Sequence, residues 1–371
     1  MKRIGFLILL LCICFASAAQ QPAAKLKINK FNAPGAGTAK GQGTEGLAIN
    51  SGGEIAGYYI DSSNVFHGFL RSSHGTFTTF EAPDAGTGAS EGTVAASLNT
   101  AGEIAGYYSD SSSVLHGYLR ATDGTVTTFD APHAGTGAGQ GTEALSIDPS
   151  GTTIAGVYID DNTVSHGLVR ASDGTITEFS AKGAGTGKYQ GTFTAVVGGI
   201  NPAGTIAGTY EDAKSVFHSF VRSPKGAIIK FNVSGAGTDA GQGVGLSGIN
   251  TAGTTTGTYI DSSSALHGYV RASNGTIAKF NVPGAGTGAG QGTEPENINT
   301  GGDTTGQYVD TSGMNHGFLR VSAGTITKFN VPGAGTASGQ GTVPDSNNAA
   351  DAITGYYIDS GGVFHGFLLT Q

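Results

Sequence analysis

The chain has 371 residues, a formal charge of −8, only 12% charged residues and 64 glycines. A sparsely charged, net-negative surface has nothing to offer a phosphate backbone, which sets nucleic acid aside as a partner. Glycine at this level would signal disorder if it were scattered, but here it recurs at a fixed period.

In chain order, the first expected element is a secretory signal peptide over residues 1–19. Lys2 and Arg3 form a basic start, Ile4 to Ala19 is an apolar run too short for a typical span, and Ala16-Ser17-Ala18 is a small-x-small cleavage site. Gln20, Gln21 and Pro22 end the run. Both cysteines, Cys12 and Cys14, fall inside it, so the mature chain holds no disulfide and no thiolate metal site. Cleavage also removes Lys2 and Arg3, taking the formal charge from −8 to −10. Residues 20–371 are then a secreted protein, extracellular or periplasmic, with no membrane insertion after cleavage.

The remainder is repetitive. Seven histidines, His67, His116, His166, His218, His267, His316 and His365, are spaced 49, 50, 52, 49, 49 and 49 residues apart. The sixth unit shows four candidate strands: "TEPENIN", "DTTGQYVD", "MNHGFLRV" and "TITKFNVP", separated by the turn signals "TGG", "TSG" and "SAG". Thr, Ile, Val, Phe and Tyr dominate these segments, as β structure prefers. Four strands per unit of about 49 residues is the period of a propeller blade. The expectation is an all-β, seven-bladed β-propeller with four strands per blade, a single domain over 20–371, and a monomer.

The fourth strand appears six times after the histidine units, as in "TFEAP" (79–83) and "KFNVP" (328–332). The seventh copy is "KFNAP" at 30–34, ahead of the first unit. Residues 25–34 are therefore expected to close the ring as the outer strand of the C-terminal blade. If the first strand of each unit is innermost, the long "PGAGTGAGQGTE" loops and the "YIDSSSA" turns share one rim, the natural place for a ligand.

The unit resembles the extracellular HAF-type repeats, named for a His-Ala-Phe tripeptide. The matching residues are His67-Gly68-Phe69, His116-Gly117-Tyr118, His267-Gly268-Tyr269, His316-Gly317-Phe318 and His365-Gly366-Phe367, with Gly in place of Ala throughout. The third and fourth copies depart further, reading His166-Gly167-Leu168 and His218-Ser219-Phe220. The resemblance spans the mature chain. It implies a secreted bacterial repeat protein with a propeller-like fold and no particular activity.

Histidine can act as a base or a metal ligand, but seven copies spread round a wheel cannot share one metal. They are read as structural, half-buried donors to a backbone carbonyl or a loop hydroxyl. The aspartates after each second strand (Asp61, Asp110, Asp160, Asp212, Asp261, Asp310, Asp359) are read as Asx-turn caps. Calcium at these turns is the one cofactor left open, and no other metal or cofactor is expected. The third-strand arginines are expected between blades or in solvent. Gly88-Ala89-Ser90-Glu91-Gly92 and Gly41-Gln42-Gly43-Thr44-Glu45-Gly46 match nucleophile-elbow and dinucleotide patterns, but neither opens a helix, and glycine abundance accounts for both. No catalytic residue is assigned.

In a repeat protein, a unique site belongs where symmetry breaks. Unit four reads "GTGKYQGTFTAVVGGIN" against "GTGAGQGTEPENIN" in unit six. Three residues are gained, expected as a bulge beside the channel, and Lys188, Tyr189 and Phe193 replace small or acidic residues. Glu45, Glu143 and Glu294 start the first strand in three units, with Glu296 and Asp345 close by in theirs. These six, Lys188, Tyr189, Phe193, Glu45, Glu143 and Glu294, are the candidate ligand-binding residues. The leading function is a non-enzymatic binding scaffold for an unknown extracellular glycan or protein. The alternatives are a carbohydrate lyase or hydrolase at the channel mouth, and a structural surface or matrix protein.

Overall fold

A computed structural model describes residues 26–371, so the expected signal peptide lies outside the described residues. Twenty-eight strands fall into seven four-stranded repeats, and no helix occurs among the described residues. The sixth repeat breaks where its turn signals sit, into Gly292–Ile298, Thr304–Val309, Asn315–Arg320 and Ile326–Phe329. Consecutive strands pair antiparallel. The first strand of each repeat is almost wholly buried and the fourth is largely exposed, so the first strands form the inner wall.

Two kinds of backbone pairing close the ring. The first strand of each repeat begins at a glycine that makes a single parallel bridge to the third strand of the repeat before it, from Phe66↔Gly92 round to Phe364↔Gly43. Gly43 has φ of +127° and lies on the Phe364 carbonyl, so a side chain there would strike backbone. This is why each "GQG" or its equivalent ends in glycine. The second closure is the expected one. Lys27–Phe31 pairs antiparallel with Phe364–Thr370, from Lys27↔Thr370 to Phe31↔Gly366. The Phe31 ring fills the space above Gly366, as Phe80 does above Gly68.

Side chains then lock repeat to repeat. Five of the six third-strand arginines, among them Arg120 and Arg271, stand 4.6–4.9 Å from the ring of the outer-strand phenylalanine of the preceding repeat, such as Phe80 and Phe231. Arg71 does the same over Phe31, which crosses the closure between the last repeat and the first. Four of these arginines are under 10% exposed, and each desolvated stack stabilises by about 1–2 kcal/mol. The seventh repeat has Leu369 instead, packed with Phe329. A second belt uses the asparagine that follows the first strand in six of the seven repeats. Asn201 Nδ2 donates to the Asn250 carbonyl, Asn250 to Asn299, Asn299 to Asn348, Asn348 to Asn50 and Asn50 to Asn99.

The seven histidines occupy one setting each. His267 stacks on Tyr259, with ring centroids 4.7 Å apart, its Nε2 3.0 Å from Asp261 and its Nδ1 3.1 Å from Asn281 on the outer strand. The expected backbone-carbonyl partner is not what holds these rings: they sit between two side chains, and only His166 meets a hydroxyl, that of Ser180. The reason is the pairing register, which sets each histidine directly opposite a tyrosine and beneath the turn aspartate. The aspartates are Asx caps as expected. Asp261 Oδ1 accepts from the Ser263 and Ala265 amides while Oδ2 faces His267.

Candidate functional site

The lumen is where the seven-fold repetition fails. Six of the first strands carry a register shift after their fourth residue, which leaves one residue unpaired: Leu47, Ala96, Leu145, Ser247, Glu296 and Asp345. The bulge turns each of these side chains into the central space, where they line two adjoining cavities of about 380 and 420 Å³. The bulge residue is apolar in repeats one to three and polar or acidic in repeats five to seven. The lumen therefore has an apolar arc and an acidic arc.

Repeat four supplies the divider. Its first strand stops at Thr194, and the three extra residues form a loop rather than a local bulge beside the channel. Val197 packs on the cluster holding Ala48 and Leu98, the Gly199 amide donates to Ser146 Oγ at 2.9 Å, and the Gly198 carbonyl accepts from the Ile249 amide at 2.9 Å. Gly198 itself lies against Asn297. The loop thus touches walls contributed by repeats one, two, three, five and six, and it crosses the lumen. On one side lie the two cavities just described. On the other is a smaller one of about 170 Å³, ringed by all seven repeats and by the asparagine belt. Val197 borders the space on both sides. A through-channel has become a cup, with Val196 exposed on its floor.

The cup opens toward the long loops. A groove of about 380 Å³ runs from Ser90, Ser113 and Gly139 on that rim to Val94, Tyr107 and Glu143 in the wall. Burial pushes the Glu45 and Glu143 carboxyls up to about 7, with Tyr58 beside Glu45 opposing the rise. Burial and the neighbouring Glu294 push Glu296 up to about 8. Asp345 is raised well above the usual carboxylate range by burial, then by Glu296 and Glu45. Glu294 is raised less and accepts a hydrogen bond from Gln307 Nε2 at 2.8 Å. Glu296 and Asp345 are half-buried in the wall, and both keep some surface open.

The six candidate residues are only partly brought together. Phe193 and Glu143 line one cavity, and Glu45 lies within electrostatic reach of Tyr107, Tyr356 and Asp345. Glu294 stands beside Glu296. Lys188 and Tyr189 are elsewhere: they precede the Gly191 kink and lie on the rim surface, with Tyr189 66% exposed and the Lys188 ammonium 4.8 Å from its ring centroid. Three tyrosines, Tyr58, Tyr107 and Tyr356, belong to the wall and were not among the candidates. Tyr58 and Tyr107 line a cavity and Tyr356 lies within electrostatic reach of Asp345, Glu45 and Glu296; each pairs with the third residue of a first strand, a register relation that a single strand does not display.

No family model matches the chain, and no curated protein is similar to it. Among solved structures, it is similar to the β-propeller domain of the trilobed protease from Pyrococcus furiosus, at 8% identity and a TM-score of 0.57, covering 90% of this chain and 95% of that one. It is also similar to the BP39L lectin from Burkholderia pseudomallei, at 14% identity and a TM-score of 0.57, covering 87% and 95%. A chain of the mitotic checkpoint complex matches at 11% identity and a TM-score of 0.50, covering 99% of both. At these identities the likeness is one of fold: the chain is a closed, β-propeller-like ring.

Proposed function

We propose that the protein is an exported, seven-bladed β-propeller of the HAF-repeat type that acts as a non-enzymatic binding scaffold, holding an extracellular ligand in the cup at the long-loop end of its channel. The observation that carries this reading is the repeat-four loop. Seven equivalent repeats would leave an open, symmetric channel, whereas Val196–Gly198 closes it and leaves a walled space with two chemically different arcs. A concave site with an apolar lining and a few polar groups is the usual form of a ligand pocket. A second reading, glycan hydrolysis at the same place, draws on the raised carboxyls, because a general acid must keep its proton near neutral pH.

The test is a glycan array probed with the mature chain, run beside Phe193→Ala and Tyr189→Ala. Loss of signal with Phe193→Ala alone supports the cup. Loss with Tyr189→Ala alone moves the site to the rim and overturns this reading. Release of reducing sugar by the wild-type chain, abolished by Glu143→Gln or Glu296→Gln, would replace the scaffold with the hydrolase.

A further inference from the structure

We propose that the cup binds an organic cation, an ammonium group carrying an apolar body; this rests on the cup being the binding site. Glu45, Glu296 and Asp345 converge on the lumen, and no lysine, arginine or histidine borders either cavity among the described residues. Once these carboxyls ionise, their charge has no positive partner there. Carboxylates withdrawn from bulk water without a cationic partner are costly, and a chain that retains several at one place leaves a site that a positive ligand would complete.

Two polar atoms beside the cavities also lack a partner. Asp345 Oδ2 is inaccessible and has no hydrogen-bond partner. Thr194, 5% exposed and lining both cavities, also leaves its hydroxyl oxygen without a partner. Unpaired polar atoms of this kind are uncommon in folded proteins and call for a specific cause.

The apolar arc selects the kind of cation. Among the described residues no three acidic or histidine side chains converge tightly enough to share a metal ion. A bare ion would also leave Leu47, Leu145 and Val196 facing water. An ammonium on an aliphatic or aromatic body satisfies both arcs at once. Phe193, Tyr58 and Tyr107 line the cavity with aromatic rings, and a cation over such a ring gains about 1–2 kcal/mol in a desolvated site.

Hexyltrimethylammonium is a suitable probe, because its charge does not titrate and any pH dependence belongs to the protein. Hexanol is the neutral comparison. The groups that titrate around the probe are Glu45, Glu143, Glu294, Glu296 and Asp345, with the tyrosines neutral throughout. Calorimetry on the mature chain at pH 9 should show hexyltrimethylammonium binding at least tenfold tighter than hexanol. At pH 6, below the values of about 7 for Glu45 and Glu143 and about 8 for Glu296, binding of the cation should weaken tenfold or more. Glu296→Gln and Asp345→Asn should each weaken it at least fivefold at pH 9. Val196→Lys, at a site already exposed on the floor, should abolish it while leaving the melting curve intact.

Equal affinity for hexanol, or cation binding unchanged between pH 9 and pH 6, overturns the cation and leaves the cup as an apolar pocket. No cation binding at millimolar concentration also overturns it, whereas a glycan signal lost in Phe193→Ala would still uphold the cup. If the cation binds and Val196→Lys binds it equally, the site is outside the cup and both readings fall.

Discussion

Glu296 carries the largest consequence of any single residue. A bulge exposes it to the lumen, its neighbours on the wall are also acidic, and its carboxyl is raised from 4.5 to about 8. A carboxyl raised on folding contributes its full stability below the unfolded value, and that contribution is lost as pH rises through the folded one. Wild-type stability should therefore fall between about pH 4.5 and pH 8, and Glu296→Gln should be spared part of that fall. Lumen water screens the group, so the expected gain at pH 9 is about 1–2 kcal/mol, well below the full linkage value. Thermal melts of both proteins at pH 5 and pH 9 check this: the curves should nearly coincide at pH 5 and separate at pH 9. A variant no more stable than wild type at pH 9 would mean that the carboxylate already has a partner. The turn aspartates behave in the opposite sense. Partial burial would raise Asp310, but hydrogen bonds from Ser312, His316 and the Met314 amide overcome it and hold the carboxyl below the usual range.

At the scale of the element, the asparagine belt shows how one substitution interrupts a repeated contact. In repeat three the belt position is Asp148, which cannot donate, and the turn that follows is one residue longer. Asn99 therefore reaches the Gly151 carbonyl instead of its counterpart. Asp148 keeps the acceptor half of the role, taking a hydrogen bond from the Ser150 amide at 2.9 Å. Asp148→Asn would restore a donor aimed at the Asn201 carbonyl in the next repeat. A net gain of about 1 kcal/mol, or roughly 2 °C in the melting temperature, is expected for one added buried hydrogen bond. A lowered melting temperature would show that the longer turn has moved the donor out of reach. Much of each element was legible in the sequence. Gly/Ser turns, β-branched segments and the aspartate caps are local features, decided within a few residues. The register that sets His267 opposite Tyr259, and Tyr58 opposite Glu45, is a relation between strands, and period-two alternation alone does not contain it.

For the molecule as a whole, closure is the central feature. A ring of repeats has two ends that must meet, and here they meet through a parallel bridge at Gly43 and the antiparallel ladder from Lys27 to Phe31. Lys30 strengthens the ladder by donating to the Pro332 carbonyl at 3.0 Å. Deleting residues 25–34 would bare the edge of Phe364–Thr370 and remove the Phe31 ring that covers Gly366 and stacks under Arg71. The melting temperature should drop by on the order of 10 °C, and the freed edge should promote association, visible by size-exclusion chromatography. An unchanged melt would mean that the parallel bridges suffice.

The repeat, its four strands and the early position of the last strand were determined by the sequence alone, because periodic signals and turn chemistry act locally and recur seven times. The site was decided by the tertiary structure. Glu45, Glu296 and Asp345 come from the first, sixth and seventh repeats and meet only because the ring closes. A bulge reverses the inside–outside alternation by one residue, so the lumen-facing set cannot be read from strand pattern. The repeat-four insertion was visible as three extra residues, but that they cross the channel depends on the width of the space the other six first strands leave.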